Sequence, residues 1–336
     1  MRVFALALAF LLFWTGPAAA VALTGINIAG GEFGGVLSVY GKGYIYPNKA
    51  QMQAFRDRGM NVFRVPLRWE RLQPVLGAPL NDTEMARVDD IVETATGMGA
   101  SVIIDVHNYA RYARQPLGSP AVPLSAVRDL WERLARRYRG NDKVIFGLMN
   151  EPVRISATTW AGVAQDAVIG IRKTGARNLV LVPGAYWSGA HSWKKPVGLN
   201  LSNAEAMAQF HDPGNNFAFD FHQYFDANSS GATGNCVTPT EAERRVGVAT
   251  AWLRATGNRG MLTEFGISRS PECAPVLEAV LRHMAANPEW HGWTIWASSA
   301  WFGAYHFNLN PLQGALPPQL ETLQPFLVDP PVASRR

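Results

Sequence analysis

Short apolar runs alternate with longer amphipathic stretches along most of the chain. A buried parallel strand followed by a crossover helix produces this pattern, because strands are short and apolar while helices repeat their apolar positions every three or four residues. Eight runs are predicted to be strands: Thr24–Ala29, Asn61–Pro66, Ser101–His107, Val144–Asn150, Asn178–Pro183, Phe217–His222, Gly260–Phe265 and Gly292–Ala297. Six stretches are predicted to be helices: Ala50–Arg58, Glu84–Met98, Ser125–Arg139, Thr158–Thr174, Thr240–Thr256 and Ala274–Asn287. The alternation predicts an α/β protein, and eight units favour a (β/α)8 TIM barrel in a single domain.

An open, doubly wound sheet is the alternative arrangement of such units. The turn after the first predicted strand, residues 30–35, reads Gly-Gly-Glu-Phe-Gly-Gly. It lacks the G-x-G-x-x-G spacing that lets the first turn of a dinucleotide-binding sheet approach a pyrophosphate. This difference disfavours the open sheet.

The two ends of the chain are not predicted to belong to the barrel. Arg2 precedes an apolar run, Val3–Trp14, and small residues follow it, which is the pattern of a secretory signal peptide. We predict a signal peptide over residues 1–20, the barrel domain over 21–322 and a Pro-rich tail over 323–336. The apolar run is short for a bilayer span, so no membrane association is expected after cleavage; an uncleaved anchor is the alternative.

The charge and the cysteine content limit which partners and which cellular compartment we expect. The formal net charge is +5, without a basic run or a nucleic-acid-binding motif, so no nucleic acid partner is expected. The chain has two cysteines, Cys236 and Cys273, after the sixth and seventh predicted strands. In an exported protein they predict one disulfide, and two free thiols are the alternative. We expect an exported monomer, either periplasmic or secreted.

Polar and aromatic side chains gather where the predicted strands end. They are Arg64, His107, Asn150, Glu151, His222, Tyr224, Glu264 and Trp296. The carboxyl ends of barrel strands meet at one rim, where barrel enzymes carry their catalytic groups. Helix capping explains only Asn150, which precedes Glu-Pro. We therefore expect one site at this rim.

Two of these side chains, Glu151 and Glu264, are carboxylic acids three strands apart. Strands at that separation face each other obliquely across the barrel mouth, so the carboxylates can approach to about 5 Å, as in glycosidases that retain configuration. One carboxyl then protonates the leaving oxygen while the other attacks the sugar. The acid needs an apolar setting, and the nucleophile needs a nearby cation, for which Arg64 is the candidate.

Tryptophans near the predicted rim are the second chemical signal. Flat apolar sugar faces stack on aromatic rings. Trp296 directly follows a strand, so we predict that it contacts sugar. Trp187 lies in the long segment 185–208, and long barrel loops are usually binding loops; core packing is the alternative for Trp187. Trp193 belongs to the same late group of aromatic residues, but burial in the core is the favoured interpretation for it, as it is for Trp293.

These segments resemble glycoside hydrolase family 5, in particular its subfamily 5 endoglucanases. Val-Ile-Phe-Gly-Leu-Met-Asn150-Glu151-Pro152 and Leu-Thr-Glu264-Phe-Gly are similar to the acid/base and nucleophile strands of that family. Five more barrel strands match in order, around Gly25, Arg64, His107, His222 and Trp296. The resemblance covers nearly the whole chain after the signal peptide.

The resemblance implies a role for each candidate residue. Glu151 would be the general acid and later the base, and Glu264 the nucleophile. Arg64 would keep Glu264 ionised, and Asn150 would bond the sugar 2-hydroxyl. Further substrate contacts would come from His107, Asn108, His222, Tyr224, Trp296 and Trp187. The implied activity is that of a retaining endo-β-1,4-glucanase that binds β-glucan and uses no cofactor or metal.

Three alternatives stay open. A β-mannanase, a xylanase or a mixed-linkage β-glucanase would use the same catalytic set. A non-catalytic carbohydrate-binding protein would usually lack one of the two carboxylates. A metal-dependent hydrolase would need a His-x-His strand end with further ligands, whereas His107 and His222 stand alone on distant strands.

Overall fold

Eight parallel strands close into one barrel in the computed structural model, which describes residues 21–310 and 315–328. The strands are β1 (Leu23–Ile28), β2 (Val62–Leu67), β3 (Ser101–Val106), β4 (Val144–Gly147), β5 (Val180–Pro183), β6 (Phe217–Tyr224), β7 (Gly260–Gly266) and β8 (Trp290–Ser298). Each strand pairs with its sequence neighbours, and β1 pairs with β8 to close the ring. The predicted single-domain TIM barrel is confirmed. The predicted signal peptide lies outside the described residues.

Six long helices connect the strands. They are α1 (Lys49–Arg56), α2 (Asp82–Gly97), α3 (Ala126–Tyr138), α4 (Ala157–Lys173), α5 (Pro239–Thr256) and α6 (Ala274–Ala286), each within two residues of its predicted bounds. Four begin at a side chain that accepts the backbone N–H three residues on: Asn48, Asn81, Ser156 and Thr238. Shorter elements are the helices Trp69–Leu72, Asn203–Ala206 and Pro318–Leu323 and an antiparallel ribbon of Arg111–Tyr112 with Gln115–Pro116.

The barrel interior changes from apolar to polar along the strands. One apolar side chain from each of six neighbouring strands forms the lower layer: Val62, Ile103, Ile145, Leu181, Ala218 and Met261. Two residues further along four of these strands lie buried polar side chains: Arg64, Asp105, Asp220 and Thr263. Because strand side chains alternate between faces, these groups point into the barrel above the apolar layer. The site therefore rests on a packed floor.

The C-terminal segment differs from the prediction. The tail was expected to leave the packed domain at residue 323, yet Leu323 and Leu327 are buried. The Val328 amide donates to the Thr24 hydroxyl at 3.1 Å, which ties the segment to β1. Leucines at helical spacing fix this segment, and its proline content concealed that spacing. Residues 329–336 lie outside the described residues.

The segment 185–208 is more ordered than a free binding loop. It contains two 3-10 turns, Tyr186–Ser188 and Ala190–Ser192, and the helix Asn203–Ala206. Trp193 is buried, as the favoured interpretation has it, and packs against Phe221 and Trp252, with ring centroids 4.5 and 5.2 Å away. Its aromatic neighbours on β6 and α5 make it a core residue.

A disulfide joins Cys236 and Cys273, as predicted, with a sequence separation of 37. It connects the segment after β6 to the start of α6 beyond β7. No helix within residues 21–310 and 315–328 has the length and apolar character to cross a membrane.

Candidate active site

Glu264 lies on β7, and its carboxylate is held from two sides. Arg64 on β2 donates to Oε2 at 3.0 Å, and the Tyr224 hydroxyl donates to Oε1 at 2.7 Å. Arg64 is only 1% exposed. It makes three further contacts, with the side chains of Asn27, Asn150 and Asp105 at 2.8, 2.7 and 3.1 Å. The guanidinium and the carboxylate are thus fixed relative to each other.

Glu151 follows β4 and lies beside Glu264 at the barrel mouth. Nδ1 of His222 lies 3.0 Å from Glu151 Oε1. One nitrogen or oxygen atom from each of Glu151, His222 and Glu264 lies within 4.8 Å of the others. Carboxylates about 5–5.5 Å apart characterise retaining glycosidases, whereas inverting enzymes separate them by about 6.5–9.5 Å. The spacing is that of a retaining pair.

The backbone at Glu151 adopts a conformation that the sequence does not signal. Its φ is 43°, in the left-handed region that is uncommon for residues other than glycine. The Tyr109 amide donates to the Asn150 carbonyl at 3.0 Å and helps to hold this turn. Helix α4 begins only at Ala157 and is capped by Ser156, so capping does not explain Asn150. Strained residues of this kind cluster at functional sites.

Asn150, next to Glu151, carries a buried side-chain donor that the protein does not satisfy. Its side chain is fully buried, and its Oδ1 accepts from Arg64. Its Nδ2 has no hydrogen-bond partner among the described residues. A buried donor without a partner is rare in folded proteins, and a ligand oxygen would satisfy it.

The side chain of Asn108 is bonded within the protein through both its amide oxygen and its amide nitrogen. Its Nδ2 donates to Glu70 at 2.9 Å, and its Oδ1 accepts the Trp69 amide at 2.8 Å. It holds the segment after β3 against the helix Trp69–Leu72 and does not line the cleft. These hydrogen bonds give Asn108 a role in loop structure, and its contact with substrate stays a prediction.

His107 and Trp296 form one wall of the site. Their rings stack with centroids 5.9 Å apart and an interplanar angle of 23°. His107 Nδ1 lies 2.7 Å from Asp105 Oδ2, and its Nε2 lies 3.2 Å from the Tyr109 hydroxyl. The peptide bond after Trp296 is cis. Trp293 is buried, as predicted.

The two carboxylates open into a cleft of about 750 Å³. Seven predicted residues line it: His107, Glu151, Trp187, His222, Tyr224, Glu264 and Trp296. Trp187 is 55% exposed and is the middle of three successive residues, 186–188, with positive φ. The Ser188 hydroxyl pins this turn by donating to the Asp220 carbonyl at 2.5 Å and accepting the Gly184 amide at 2.8 Å.

The pKa values of the two glutamates move in opposite directions. Burial raises the pKa of Glu151, and the negative charge of Glu264 raises it further. The hydrogen bond with His222 lowers this pKa but does not outweigh the other two effects. Burial would also raise the pKa of Glu264, but His222 and Arg64 outweigh it and hold this pKa below its ordinary value. Glu151 is thus suited to carry a proton and Glu264 to stay ionised.

Several site residues escaped the sequence analysis. Tyr109, Tyr186 and His191 line the cleft together with Tyr305, whose position late in the chain had placed it near the rim. Asp220 lies below His222 and accepts a hydrogen bond from Thr263, and burial raises its pKa to about 6. Asp220, His222 and Tyr224 occupy alternate positions of β6, so period-two polarity on a buried strand was the available signal.

Glu151, His222 and Glu264 form the one group of three within residues 21–310 and 315–328 close enough to share a metal ion. Arg64 donates to Glu264 at 3.0 Å and already supplies a positive charge to that carboxylate. A second cation there would be repelled, so this donor set fits a resident metal poorly. The absence of a metal requirement stays a prediction.

A (β/α)8 barrel with two carboxylates this close at the carboxyl ends of its strands defines a glycoside hydrolase of the retaining geometry. The chain belongs to the family described as Cellulase (glycosyl hydrolase family 5), whose model matches residues 17–299.

Relatives agree with this membership. Endoglucanase gh5-1 of Neurospora crassa is 34% identical over 295 residues, which are 86% of this chain and 73% of that protein. The probable endo-beta-1,4-glucanase B of Neosartorya fischeri is 33% identical over 90% of this chain and 91% of its own. The crystal structure of the endo-beta-1,4-glucanase Xac0029 from Xanthomonas axonopodis pv. citri is 44% identical, with a TM-score of 0.89 over 91% of this chain and 98% of that one. XacCel5A in complex with cellopentaose is 40% identical, with the same TM-score over 91% and 99%.

Proposed function

We propose that this protein cleaves its substrate with retention, using Glu264 as the nucleophile and Glu151 as the general acid and then the base. The protein is a family 5 endo-β-1,4-glucanase that hydrolyses cellulose-type glucans. The observation that carries the role assignment is a carboxylate pair within 4.8 Å whose pKa values move in opposite directions. Two carboxyl groups with separated pKa values can divide acid and nucleophile between them.

The reaction proceeds in two displacements. First, the Glu151 carboxyl protonates the glycosidic oxygen while a Glu264 oxygen attacks the anomeric carbon, which forms a glycosyl ester and releases one half of the chain. Glu151 is then a carboxylate and takes a proton from water as the water oxygen attacks the same carbon. Glu264 leaves as a carboxylate, and both groups return to their starting states.

The surrounding side chains bind the sugar at the cleavage point. The unpaired Nδ2 of Asn150 donates to the sugar 2-hydroxyl, a bond that strengthens in the transition state. Trp296 supplies a stacking surface, with His107 behind it. His222 and Tyr224 hold one carboxylate each and complete the shell.

The preferred backbone is β-1,4-glucan, and the chain belongs to subfamily 5 of the family. The endoglucanase names of the relatives and the cellopentaose complex of XacCel5A support this substrate. Reducing-end release from carboxymethylcellulose, lichenan, glucomannan, mannan and xylan tests it, with the highest rates expected on the first three. Release from mannan or xylan alone would contradict the glucan assignment and favour an alternative hydrolase on the same barrel.

The protein is exported, to the periplasm or the medium, and acts as a monomer. The disulfide supports export, because such bonds persist in oxidising compartments. Mass spectrometry of the protein recovered from those fractions should find the N-terminus at Val21, after removal of residues 1–20. Light scattering should give the mass of one chain; an intact N-terminus in the membrane fraction would indicate an uncleaved anchor.

A further inference from the structure

Exposed apolar side chains are concentrated at one end of the barrel. Of the fourteen large apolar or aromatic side chains that are exposed in residues 21–310 and 315–328, all but Val328 lie in segments that follow a barrel strand and precede the next helix. The segments after β1 and after β5 contribute four each. Among the described residues, the outer helices thus carry none of these exposed side chains, while the face that carries the cleft has thirteen of them. A directional patch of this kind marks an interaction surface.

Two loop tips dominate this face. Leu37 is 95% exposed after β1, and Leu199 is fully exposed after β5. Since β1 and β5 are four strands apart in a ring of eight, the tips stand on opposite sides of the barrel mouth. Val197, two residues before Leu199, also lines the cleft. The second loop tip therefore adjoins the cleft, and the first stands across the barrel mouth from it.

Both tips project from braced segments. Arg71 donates to the carbonyls of Gly31, Phe33 and Gly35, and its guanidinium lies 3.6 Å from the centre of the Tyr44 ring. On the other side, Ser202 and Glu205 form a capping box directly after the second tip. Because Leu37 and Leu199 are exposed to solvent, they contribute nothing to packing within the protein. Their position on well-ordered segments points to a binding role.

We propose that this face, defined by Leu37 with its neighbours 36–40 and Leu199 with its neighbours 197–201, docks onto the surface of packed, insoluble β-1,4-glucan. The chain being cleaved enters the cleft, and the loop tips rest on chains beside it. Glucan rings carry their hydroxyls around the rim and expose apolar C–H faces, which aliphatic side chains can cover. The proposal rests on the endoglucanase activity, and it commits to glucan because Val197, within the second of these segments, lines the glucan-cleaving cleft.

Adsorption separates this surface from the active site. In a Glu264→Gln background, which does not turn over substrate, Leu37→Ser with Leu199→Ser should lower the partition onto microcrystalline cellulose by about tenfold, with each single variant giving part of the loss. Val328→Ser is the matched control, because it removes an exposed apolar side chain at the opposite end of the barrel and should leave adsorption unchanged. With Glu264 restored, the double variant should hydrolyse cellohexaose at the parental rate and microcrystalline cellulose more slowly.

Four results would overturn the proposal. The first is unchanged adsorption of a double variant whose thermal unfolding is parental, and the second is an equal loss of rate on cellohexaose and on cellulose. The third is sedimentation with phosphatidylcholine–phosphatidylglycerol vesicles that depends on the two leucines, without adsorption to cellulose. The fourth is a dimer of the parental protein that the double variant abolishes. Lack of cellohexaose cleavage by the parental enzyme would instead contradict the proposed function.

Discussion

Glu264 and Glu151 are the same residue type at the same rim, yet their surroundings differ in charge. Glu264 receives hydrogen bonds from Arg64 and Tyr224, whereas His222 is the one hydrogen-bond partner of Glu151 among the described residues. Burial raises the pKa of both carboxyls, and only at Glu264 do the positive neighbours outweigh it. The difference teaches that neighbours, rather than residue type or strand position, divide the roles of the pair.

The strongest test of this division removes the anionic member. Glu264→Gln keeps the size of the side chain but cannot form the glycosyl ester, so kcat on carboxymethylcellulose should fall by about 10⁴-fold or more. Binding of cellopentaose, measured by calorimetry, should persist because the cleft is unchanged. Substantial residual turnover with parental pH dependence would assign the nucleophile elsewhere.

Removal of Glu151, the proposed proton donor, should have an effect that depends on the leaving group. Glu151→Ala should lower kcat on carboxymethylcellulose by about 10³-fold, because general acid catalysis contributes 10²- to 10⁴-fold. The rate of the first step on dinitrophenyl cellobioside should fall far less, since that leaving group needs little protonation. Equal losses on both substrates would contradict the acid role of Glu151.

The disulfide lies on the Glu264 side of the cleft. Its removal tests whether the stability of this side can be lowered without changing the charged surroundings of Glu264. Replacing both cysteines, Cys236→Ser with Cys273→Ser, should lower the free energy of unfolding by about 3–4 kcal/mol, because a loop of this length is no longer closed in the unfolded chain. Urea unfolding measures this. The pH profile should not move, since neither cysteine contacts the two glutamates. A shifted acid limb would show that the bridge also positions Glu264.

The sequence predicted the barrel because its signals are local and repeated. Short apolar strands, helices with regular apolar spacing and polar residues at strand ends each follow from one element at a time. The carboxylate pair could be predicted in the same way. Glu151 follows one strand, Glu264 lies near the end of another, and the order of strands in the ring determines that the two can come close together.

Features that depend on contacts between distant segments escaped the sequence. Trp187 and Trp193 lie six residues apart in one segment, yet Trp187 is exposed while Trp193 packs against β6 and α5, and the sequence named none of these packing partners. Asn108 follows a strand next to His107, yet its side chain bonds Glu70 and the Trp69 amide. The positive φ of Glu151 likewise arises from the surrounding fold.

A smaller change should move one limb of the pH profile. The Tyr224 hydrogen bond lowers the pKa of Glu264, so Tyr224→Phe should raise that pKa and move the acid limb of kcat/KM to higher pH. The alkaline limb, set by Glu151, should stay in place, and kcat should fall by about tenfold. Tyr305→Phe removes a hydroxyl from the same cleft that is not bonded to Glu264 and is the control. Movement of both limbs together would show that the two carboxyls titrate as one unit.

The smallest expected effect concerns the Glu151 side of the cleft, where the exposed ring of Trp187 lines the cleft and is proposed to stack on a sugar. Trp187→Ala should raise KM for cellopentaose by about three- to tenfold with little change in kcat, because stacking contributes about equally to the ground state and the transition state. Val75→Ala, at a residue 65% exposed in the segment after β2 and outside the cleft, should change neither constant. A fall in kcat at unchanged KM would mean instead that Trp187 acts on Glu151 itself, and the two halves of the site would then differ in more than charge.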